Sequence, residues 1–290
     1  MSVSIGGEVH VAPSMQDCFV SIERISLTYP SGHQVTYAYT ARGQLQSVTD
    51  WLSNQTGYSY DNADRLTAIT SPNGVAGSLG YDNADRLTSV AYLQGTTSLE
   101  SIGYTRDAVG NPTAMTDSTG STSYGYDALD RLSSASYPNA DAVSYAYDAV
   151  GNRTGLTVNG VPTTSAFDAA DRLTAAGSTT YTYDTTGNQL TKTAAGVTTT
   201  YAYDLLHRLT GISGPTTASY SYNGDGLRVG KTVNSVATSY VWDPTGLGHV
   251  VSDGNGNEFL WGQGLVGQVT GAVTSYSYTH VASHVPRVEL

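Results

Sequence analysis

The fold of this chain is set by the stretch from Tyr124 to Asp168, in which one short unit occurs three times. The copies read Tyr124-Gly125-Tyr126-Asp127, Tyr145-Ala146-Tyr147-Asp148 and Ala166-Phe167-Asp168. Each copy is followed by a polar corner and then by an Arg-Leu or Arg-Thr pair that begins a new segment. The unit therefore consists of a strand, a turn and the start of the next strand.

The last position of the unit, which we call the anchor, recurs along most of the chain. Successive anchors lie 16 to 25 residues apart, and most gaps are close to 20. The anchors are Thr40, Asp61, Asp82, Asp107, Asp127, Asp148, Asp168, Asp184, Asp204, Asn223 and Asp243. A period near 20 that persists over eleven copies indicates a repeat architecture, in which each unit packs on its neighbours.

Two kinds of turn alternate within each period. The first starts at the anchor and reads Asp-x-x-Gly/Asp-Asn/Arg, in which the Asp side chain bonds nearby backbone amides and a later residue tolerates positive φ. The second is Asn-Gly or a similar pair, as at Asn159-Gly160, which is the strongest short hairpin signal. Thr, Val and Tyr dominate the segments between the turns, and these residues favour strands.

These patterns predict an all-β chain with almost no helix. The strands are expected to form a long antiparallel meander of β-hairpins, and accumulated strand twist is expected to coil it into an open spiral or partial shell. Three segments are predicted: a leader of uncertain structure at 1–26, the repeat array at 27–275, and a frayed or truncated tail at 276–290. The lone Cys18 excludes an intrachain disulfide.

Composition limits the partners of the chain. Its formal net charge is −11, so it lacks the basic stripe that nucleic acids and anionic membranes require. No apolar run is long enough for a transmembrane helix, and no signal peptide is visible. The 22 Tyr against 3 Phe and 3 Trp predict a thin wall with water on both faces rather than a thick dry core.

Leucine and arginine also recur at fixed places in the period. The leucines are predicted to stack as a ladder between successive units, and they are Leu66, Leu87, Leu132, Leu173, Leu190 and Leu209. Five arginines recur next to such leucines, namely Arg65, Arg86, Arg131, Arg172 and Arg208. Each arginine is expected to form an ion pair in its own turn or to lie on a neighbouring ring, and the alternative is a ligand-binding row of charges.

The unit Tyr-Asp-x-x-(Gly/Asp)-(Asn/Arg)-(Leu/Arg)-Thr resembles the YD repeat of the Rhs family, which includes bacterial polymorphic toxins, C components of Tc toxins and teneurins. The clearest copies are Tyr60–Thr67, Tyr81–Thr88, Tyr126–Leu132, Tyr147–Thr154 and Tyr203–Thr210. The resemblance implies a strip of β-hairpins wound into a hollow shell, which in toxin relatives encloses a variable toxin domain. Because such shells are much longer than 290 residues, we expect this chain to be a fragment of the core.

The leading functional hypothesis is a non-enzymatic segment of such a shell, which encloses, carries or presents an effector polypeptide. Its expected partners are that effector or other shell segments, and its expected location, by resemblance, is extracellular or at the cell surface. The alternative is a carbohydrate-binding or adhesive repeat protein that uses exposed tyrosines to bind glycans. The residues predicted to define the repeat are Tyr60, Asp61, Tyr81, Asp82, Asp107, Tyr126, Asp127, Tyr147, Asp148, Asp168, Tyr183, Asp184, Tyr203, Asp204 and Asp243.

No catalytic residue, metal ligand or cofactor is predicted. One alternative remains at Asp243-Pro244-Thr245-Gly246-Leu247, because relatives with autoproteolysis use aspartates near an Asp-Pro-x-Gly-Leu motif. The segment Gly230-Lys231-Thr232 lacks the context of a phosphate loop, and Asp253–Glu258 lacks the glycine and glutamate of a calcium loop. His280 and His284 are the only histidines four residues apart, and no helix is expected there.

Overall fold

The computed structural model describes residues 4–10, 21–244, 248–270 and 273–276. Every regular element in these residues is a β-strand, so the prediction of an all-β chain is confirmed. The described strand pairs are antiparallel and join strands that follow one another along the chain, for example β-hairpins 55–60 with 66–70 and 143–147 with 153–158. The predicted meander of hairpins is therefore also confirmed.

The described residues divide into two compact units, and the chain passes from one to the other inside the strands Thr97–Arg106 and Val236–Trp242. The first unit contains the residues up to Ser101 and from Ser239 onward. Its strands are β1 (Ser4–His10), β2 (Ser21–Thr28), β3 (Gln34–Tyr39), β4 (Leu45–Thr49), β5 (Gln55–Tyr60), β6 (Leu66–Thr70), β7 (Val75–Tyr81), β8 (Leu87–Gln94) and, after the second unit, β24 (Val250–Asp253), β25 (Asn257–Trp261), β26 (Leu265–Thr270) and β27 (Val273–Tyr276).

The second unit runs from Ile102 to Thr238. It is bounded by β9 (Thr97–Arg106) and β23 (Val236–Trp242), which reach into both units. Its other strands are β10 (Pro112–Asp117), β11 (Gly120–Tyr126), β12 (Leu132–Ser136), β13 (Ala142–Tyr147), β14 (Arg153–Val158), β15 (Val161–Phe167), β16 (Leu173–Ala176), β17 (Thr179–Tyr183), β18 (Gln189–Ala194), β19 (Val197–Tyr203), β20 (Leu209–Ser213), β21 (Ala218–Tyr222) and β22 (Arg228–Val233).

The anchor turns share one backbone geometry. The amide of Asp61 donates to the carbonyl of Arg65 at 3.0 Å, and the amide of Asp64 donates back to the carbonyl of Asp61 at 3.1 Å. Asp64 has a positive φ of 64°, and the strand register shifts between Ser59 and Tyr60. This is a type I turn closed by a bulge, and its fourth position takes Asp or Gly because both tolerate the left-handed region.

The second kind of turn is tighter. Asn159 and Gly160 both have positive φ, at 49° and 82°, and Val158 pairs directly with Val161. Ala195-Gly196 and Asn234-Ser235 repeat this geometry. Two central residues with positive φ form the turn whose twist matches that of the flanking strands.

The first unit has a dry core, which corrects the prediction of a thin wall with water on both faces. Its buried residues come from both ends of the sequence: Leu27, Tyr29, Val35, Val48, Tyr58, Ile69, Leu79, Val251, Leu260, Val266 and Val269. One face of β2–β7 is therefore covered by side chains of β24–β26. The prediction failed because the alternation of each strand shows that one face is apolar but does not show what covers it.

The second unit comes closer to the expected wall. Its buried apolar residues are few among the described ones, namely Ile102, Tyr104, Ala135 and Val143. About half of its strands alternate between half-buried and exposed residues, as β17 and β19 do. Apolar burial contributes little stability per residue here, so polar contacts between hairpins carry more of the stability.

The structure describes part of the predicted leader and part of the predicted tail. Within the predicted leader, β1 and β2 form an antiparallel hairpin, with Ser4 opposite Thr28 and His10 opposite Ser21. In the predicted tail, Tyr276 belongs to β27, and residues 277–290 lie outside the described residues.

The core of the first unit yields a test by truncation. Leu260 is 1% exposed, so Leu260→Ala is expected to lower the free energy of unfolding by about 2–5 kcal/mol. Leu52 is 62% exposed in a turn of the same unit, so Leu52→Ala is the matched control, with an expected change within about 0.5 kcal/mol. Trp51, Trp242 and Trp261 all belong to the first unit, so tryptophan fluorescence during urea unfolding reports on it. Equal midpoints for the two variants would contradict the described core.

Candidate functional site

The candidate site is the edge of the sheet formed by the anchor turns, and its central group is the anchor carboxylate. Asp61 Oδ1 accepts hydrogen bonds from the backbone amides of Ala63 at 2.9 Å and Arg65 at 3.1 Å. Asp61 Oδ2 accepts from Nε of Arg65 at 2.8 Å. One carboxylate thus satisfies two amides of the turn and fixes the side chain of the residue four positions later.

The residue four positions after the anchor is either Arg or Asn in most turns. Arginine donates to the anchor carboxylate at Arg65, Arg86, Arg131, Arg172 and Arg208. Asparagine does so through Nδ2 at Asn111, Asn152 and Asn188. The expected ion pair within each turn is therefore present, and its partner is the anchor itself.

Four of these arginines, Arg65 among them, also join their own hairpin to the next one. Nη1 of Arg131 donates to the carbonyl of Asp148, the next anchor, at 3.1 Å, and its guanidinium lies 4.6 Å from the ring centroid of Tyr147. Arg172 makes the corresponding contacts with Asp184 and Tyr183, and Arg208 makes them with Asn223 and Tyr222. Both predicted roles, turn ion pair and cation on a neighbouring ring, thus belong to one side chain.

The anchor-side tyrosine returns a bond to the preceding hairpin. The hydroxyl of Tyr147 donates to the carbonyl of Leu132 at 2.7 Å, and that of Tyr81 donates to the carbonyl of Leu66 at 2.8 Å. Tyr60, Tyr126, Tyr183 and Tyr222 donate in the same way. These hydroxyls are fixed by the protein, and in Tyr147 one face of the ring also lies against Arg131.

A second row of contacts links the turns where Asp occupies the left-handed position. Asn111 Nδ2 donates to Asp130 at 3.0 Å, and Asn152 Nδ2 donates to Asp171 at 2.8 Å. Arg65 pairs with Asp85 at 2.7 Å. Asp is favoured at this position because its carboxylate accepts from the preceding hairpin while its backbone completes the turn.

The hydrogen bonds lower the pKa of the anchor carboxyls. For Asp61 and Asp168 the largest cause is the side chain of the arginine four residues later, followed by its backbone amide. For Asp127 and Asp204 the backbone amide of that arginine contributes most, against a smaller opposing effect of desolvation. The anchors therefore remain ionised at neutral pH, which the hydrogen-bond pattern requires.

The structure places the predicted repeat residues in one recurring arrangement, apart from Tyr203 and Asp243. Asp61, Asp82, Asp107, Asp127, Asp148, Asp168, Asp184 and Asp204 each close an anchor turn, and Tyr60, Tyr81, Tyr126, Tyr147 and Tyr183 each donate to the hairpin before. The hydroxyl of Tyr203 has a pKa raised by burial. The carboxylate of Asp243 pairs with Arg24 at 2.6 Å.

The surroundings of Asp243 bear on the autoproteolysis alternative. Asp243 is 2% exposed, and its amide donates to the carbonyl of His249 at 2.8 Å. The ring of His249 stacks on Trp261 with centroids 4.3 Å apart, and burial lowers the pKa of His249 despite the opposing charge of Asp243. An acid protease uses two carboxylates that share a proton, whereas Asp243 contacts a guanidinium. Thr245, Gly246 and Leu247 of the motif lie outside the described residues.

The other motifs have structural roles where they are described. Gly230-Lys231-Thr232 lies within strand β22, which has no loop to hold a phosphate. Asp253 Oδ1 accepts from the amides of Asn255 and Asn257, so its carboxylate closes a hairpin turn. Among the described residues no group of three or more potential metal ligands occurs. His280 and His284 lie outside them.

Sequence reasoning missed the contacts between the two ends of the first unit. Glu258 is 6% exposed and lies 2.8 Å from Nδ1 of His33, whose ring stacks on Trp51. Asp50 is also 6% exposed and accepts a hydrogen bond from the hydroxyl of Tyr276. In the sequence these residues are recognisable only because they depart from the repeat. A departure from the repeat does not identify the residue that is contacted.

Comparisons with known proteins agree with this geometry. The family model for the RHS Repeat matches residues 52–76, 60–97, 106–142 and 183–219. A Tc holotoxin pore of Photorhabdus luminescens superposes with a TM-score of 0.62 at 17% identity, covering 89% of this chain and 14% of that chain. A crystal structure of TcdB2-TccC3 without its hypervariable C-terminal region gives a TM-score of 0.48 at 17% identity, covering 82% and 16%. No curated protein matches.

The antiparallel hairpins and the Asp-centred turns along one edge of the sheet place this chain in the class of β-hairpin repeat proteins. Four stretches of the chain match the RHS repeat, also called the YD repeat. The chain spans about one seventh of the chain of the holotoxin structure, which has the same fold over the matched part. Among the described residues no helix is long and apolar enough to cross a membrane.

The link between hairpins can be tested at Arg131. Arg131→Met removes its bonds to Asp127 and Asp148, so the opening free energy of β11–β14 is expected to fall by about 1–2 kcal/mol. Hydrogen exchange of those amides would then be about 5–30-fold faster. Lys192→Met, an exposed position in β18, is the matched control and is expected to leave exchange unchanged. Identical exchange in the two variants would show that the arginine is dispensable.

The lowered pKa values of the anchors also predict an acid response. A carboxyl whose folded pKa lies below its unfolded value of about 3.9 contributes stability that is complete above about pH 5 and is lost as the pH falls through the folded pKa. Thermal unfolding followed by circular dichroism is therefore expected to change little between pH 7 and 5 and to shift to lower temperature towards pH 3.

The matched variant for the acid response is Asp127→Asn. It is expected to be less stable at pH 7 and to show a weaker pH dependence between 5 and 3, because one of the carboxyls with a lowered pKa is gone. A pH dependence as steep as that of the parent would mean that the anchors do not set the acid response.

Proposed function

We propose that this chain is a structural, non-enzymatic segment of an RHS shell, which walls off, carries or presents another polypeptide. The observation that supports it best is the set of contacts between successive hairpins: arginine or asparagine side chains, tyrosine hydroxyls and the strand ladder join neighbours along the array. Such an array keeps its surface rigid without a thick core. A rigid, polar surface confines another chain without binding it tightly.

The faces of the second unit fit this role. The strands present Thr, Ser and Tyr side chains, for example in β17 and β19, and several exposed hydroxyls bond to one another across strands, as Thr182 does with Thr191. Hydroxyl groups bonded in this way remain hydrated and offer no large apolar surface to an unfolded chain. It is part of the same proposal that this segment belongs to a larger shell, that the shell holds an effector polypeptide, and that the shell is extracellular.

Substitutions of the tyrosines that precede the anchors can separate the hypothesis of a structural wall from that of a glycan-binding surface. The hydroxyls of Tyr126 and Tyr147 donate hydrogen bonds to the carbonyls of Pro112 and Leu132. Both tyrosines therefore already have a packing role. Sugar stacking needs a free ring face, whereas a packing role needs the hydroxyl. A Tyr→Phe change keeps the ring and removes the hydroxyl, so it separates the two functions.

The test uses Tyr147→Phe and Tyr147→Ala. The wall predicts that Tyr147→Phe is less stable by about 1 kcal/mol, because the bond to Leu132 is lost, and that the parent gives no signal on a glycan array. A specific glycan signal that survives Tyr147→Phe and disappears in a folded Tyr147→Ala protein would overturn the wall in favour of adhesion.

The enclosing role is tested separately. An unfolded, protease-sensitive reporter is fused to the C terminus of the full chain, and the same reporter is fused to an unrelated globular protein as the control. The wall predicts slower digestion by proteinase K in the first fusion, and it predicts that Arg131→Met combined with Arg172→Met removes the difference. Equal digestion rates in the two parent fusions would count against enclosure by this segment.

A further inference from the structure

The apolar face of β2–β7, on which the C-terminal hairpins of β24–β26 pack, has a periodic sequence. Its buried residues recur every 21 residues, with Leu27, Val48 and Ile69 at one position. Tyr37, Tyr58 and Leu79 recur at a second position with the same period. If the C-terminal hairpins packed one hairpin further along this face, which is a shift of two strands or about 10 Å, they would therefore contact the same kinds of apolar side chain. Because the period repeats the same apolar residues, apolar packing alone does little to favour one position of the C-terminal hairpins over a position shifted by one period.

Arg24 is the first of three polar residues on this face, and it breaks the period. The tyrosine bonds define its repeat position, because Tyr39 donates to the carbonyl of Arg24 as Tyr60 does to Leu45 and Tyr81 to Leu66. Arg24 thus occupies a leucine position of the repeat. Its guanidinium lies 2.6 Å from Asp243 Oδ2, and the two side chains are 11% and 0% exposed.

His33 and Asp50 are the other two, and both lie in hairpin turns. The turns Tyr29–His33, Asp50–Asn54 and Ser71–Val75 share one hydrogen-bond pattern, so His33 corresponds to Asn54 and Val75. His33 meets Glu258 at 2.8 Å. Asp50 corresponds to Tyr29 and Ser71, and it accepts a bond from the hydroxyl of Tyr276.

The distribution of buried charge points to a common role. Among the described residues the buried carboxylates are Asp50, Asp243 and Glu258, and each contacts a residue more than 200 positions away. A buried charge that loses its partner is strongly unfavourable, whereas a correctly paired one adds little net stability. Such groups therefore select one arrangement among several of similar packing energy.

We propose that Arg24, His33 and Asp50 form a register-selecting surface for the C-terminal hairpins, whose complementary groups are Asp243, Glu258 and Tyr276. The apolar face supplies the attraction, and the three polar pairs allow one register only. A cover shifted by one hairpin would place Asp243 opposite a leucine position and leave it buried without a cation. This role goes beyond walling off another polypeptide, because it concerns how the segment closes on itself.

The register can be measured as a distance between spin labels. Ala84 and Asn255 are exposed and belong to the first unit, so Ala84→Cys and Asn255→Cys, in a Cys18→Ser background, carry the labels. The otherwise unchanged chain is expected to give one narrow distance population. In Arg24→Leu combined with Glu258→Gln, a second population is expected, shifted by up to about 10 Å, which is one hairpin.

Two controls isolate the register effect. Arg42→Leu removes an exposed ion pair with Asp64 within the N-terminal hairpins, and it is expected to keep the single population. Arg24→Lys retains the charge next to Asp243 and is also expected to keep it. A second population in Arg42→Leu would show that any loss of an ion pair broadens the distances, and it would overturn the proposal.

Two other outcomes would also refute it. A single unshifted population in Arg24→Leu with Glu258→Gln would mean that packing alone sets the register. Loss of the folded first unit in that variant, seen by tryptophan fluorescence, would mean that the pairs provide stability rather than selection. The variant His33→Asn retains the Arg24–Asp243 pair, and the proposal therefore requires the single population to persist there.

Discussion

The hydrogen bonds of the anchor carboxylate are the interaction on which the array depends. By accepting from the amides two and four residues later, the carboxylate fixes a turn whose fourth residue must adopt positive φ, as Asp64 and Gly151 do. That turn introduces the same bulge at each anchor, and the bulge sets the direction of the side chain that follows. Arg65 and Arg131 can therefore reach the next hairpin at the same place in each copy.

This arrangement explains how a chain with so few charged residues and so little core holds its second unit together. Four arginines of the repeat, namely Arg65, Arg131, Arg172 and Arg208, contact three groups at once: the anchor carboxylate, the next anchor carbonyl and the next tyrosine ring. The tyrosine hydroxyl then returns a bond to the hairpin before. Each contact joins neighbours only, so stability accumulates along the chain, as in other repeat proteins, instead of being centred on one core.

The sequence was sufficient for the features that are local and periodic. Asp at the anchor, Gly or Asp three residues later and alternating Tyr and Thr predict turns and strands without knowledge of distant residues. It was insufficient for the first unit, where Leu27 and Leu260 meet although they are far apart in sequence. A buried face and a face exposed to water produce similar alternation when the exposed residues are Thr and Tyr. The partner of Asp243 was equally inaccessible, because in its repeat position the expected partner is four residues away rather than Arg24.

Departures from the period are informative only when their partners are known. His207 stands where other turns have Asp or Gly, yet its ring nitrogen meets Asn188 on the preceding hairpin, as Asp130 meets Asn111, so the lattice is preserved. Arg24 also departs from the period, but its partner lies 219 residues away. The first kind of departure substitutes for a repeat contact, whereas the second adds an interaction that a uniform array does not need. A wall built from neighbour contacts can extend indefinitely, so the added pairs are what make this particular stretch close at a defined place.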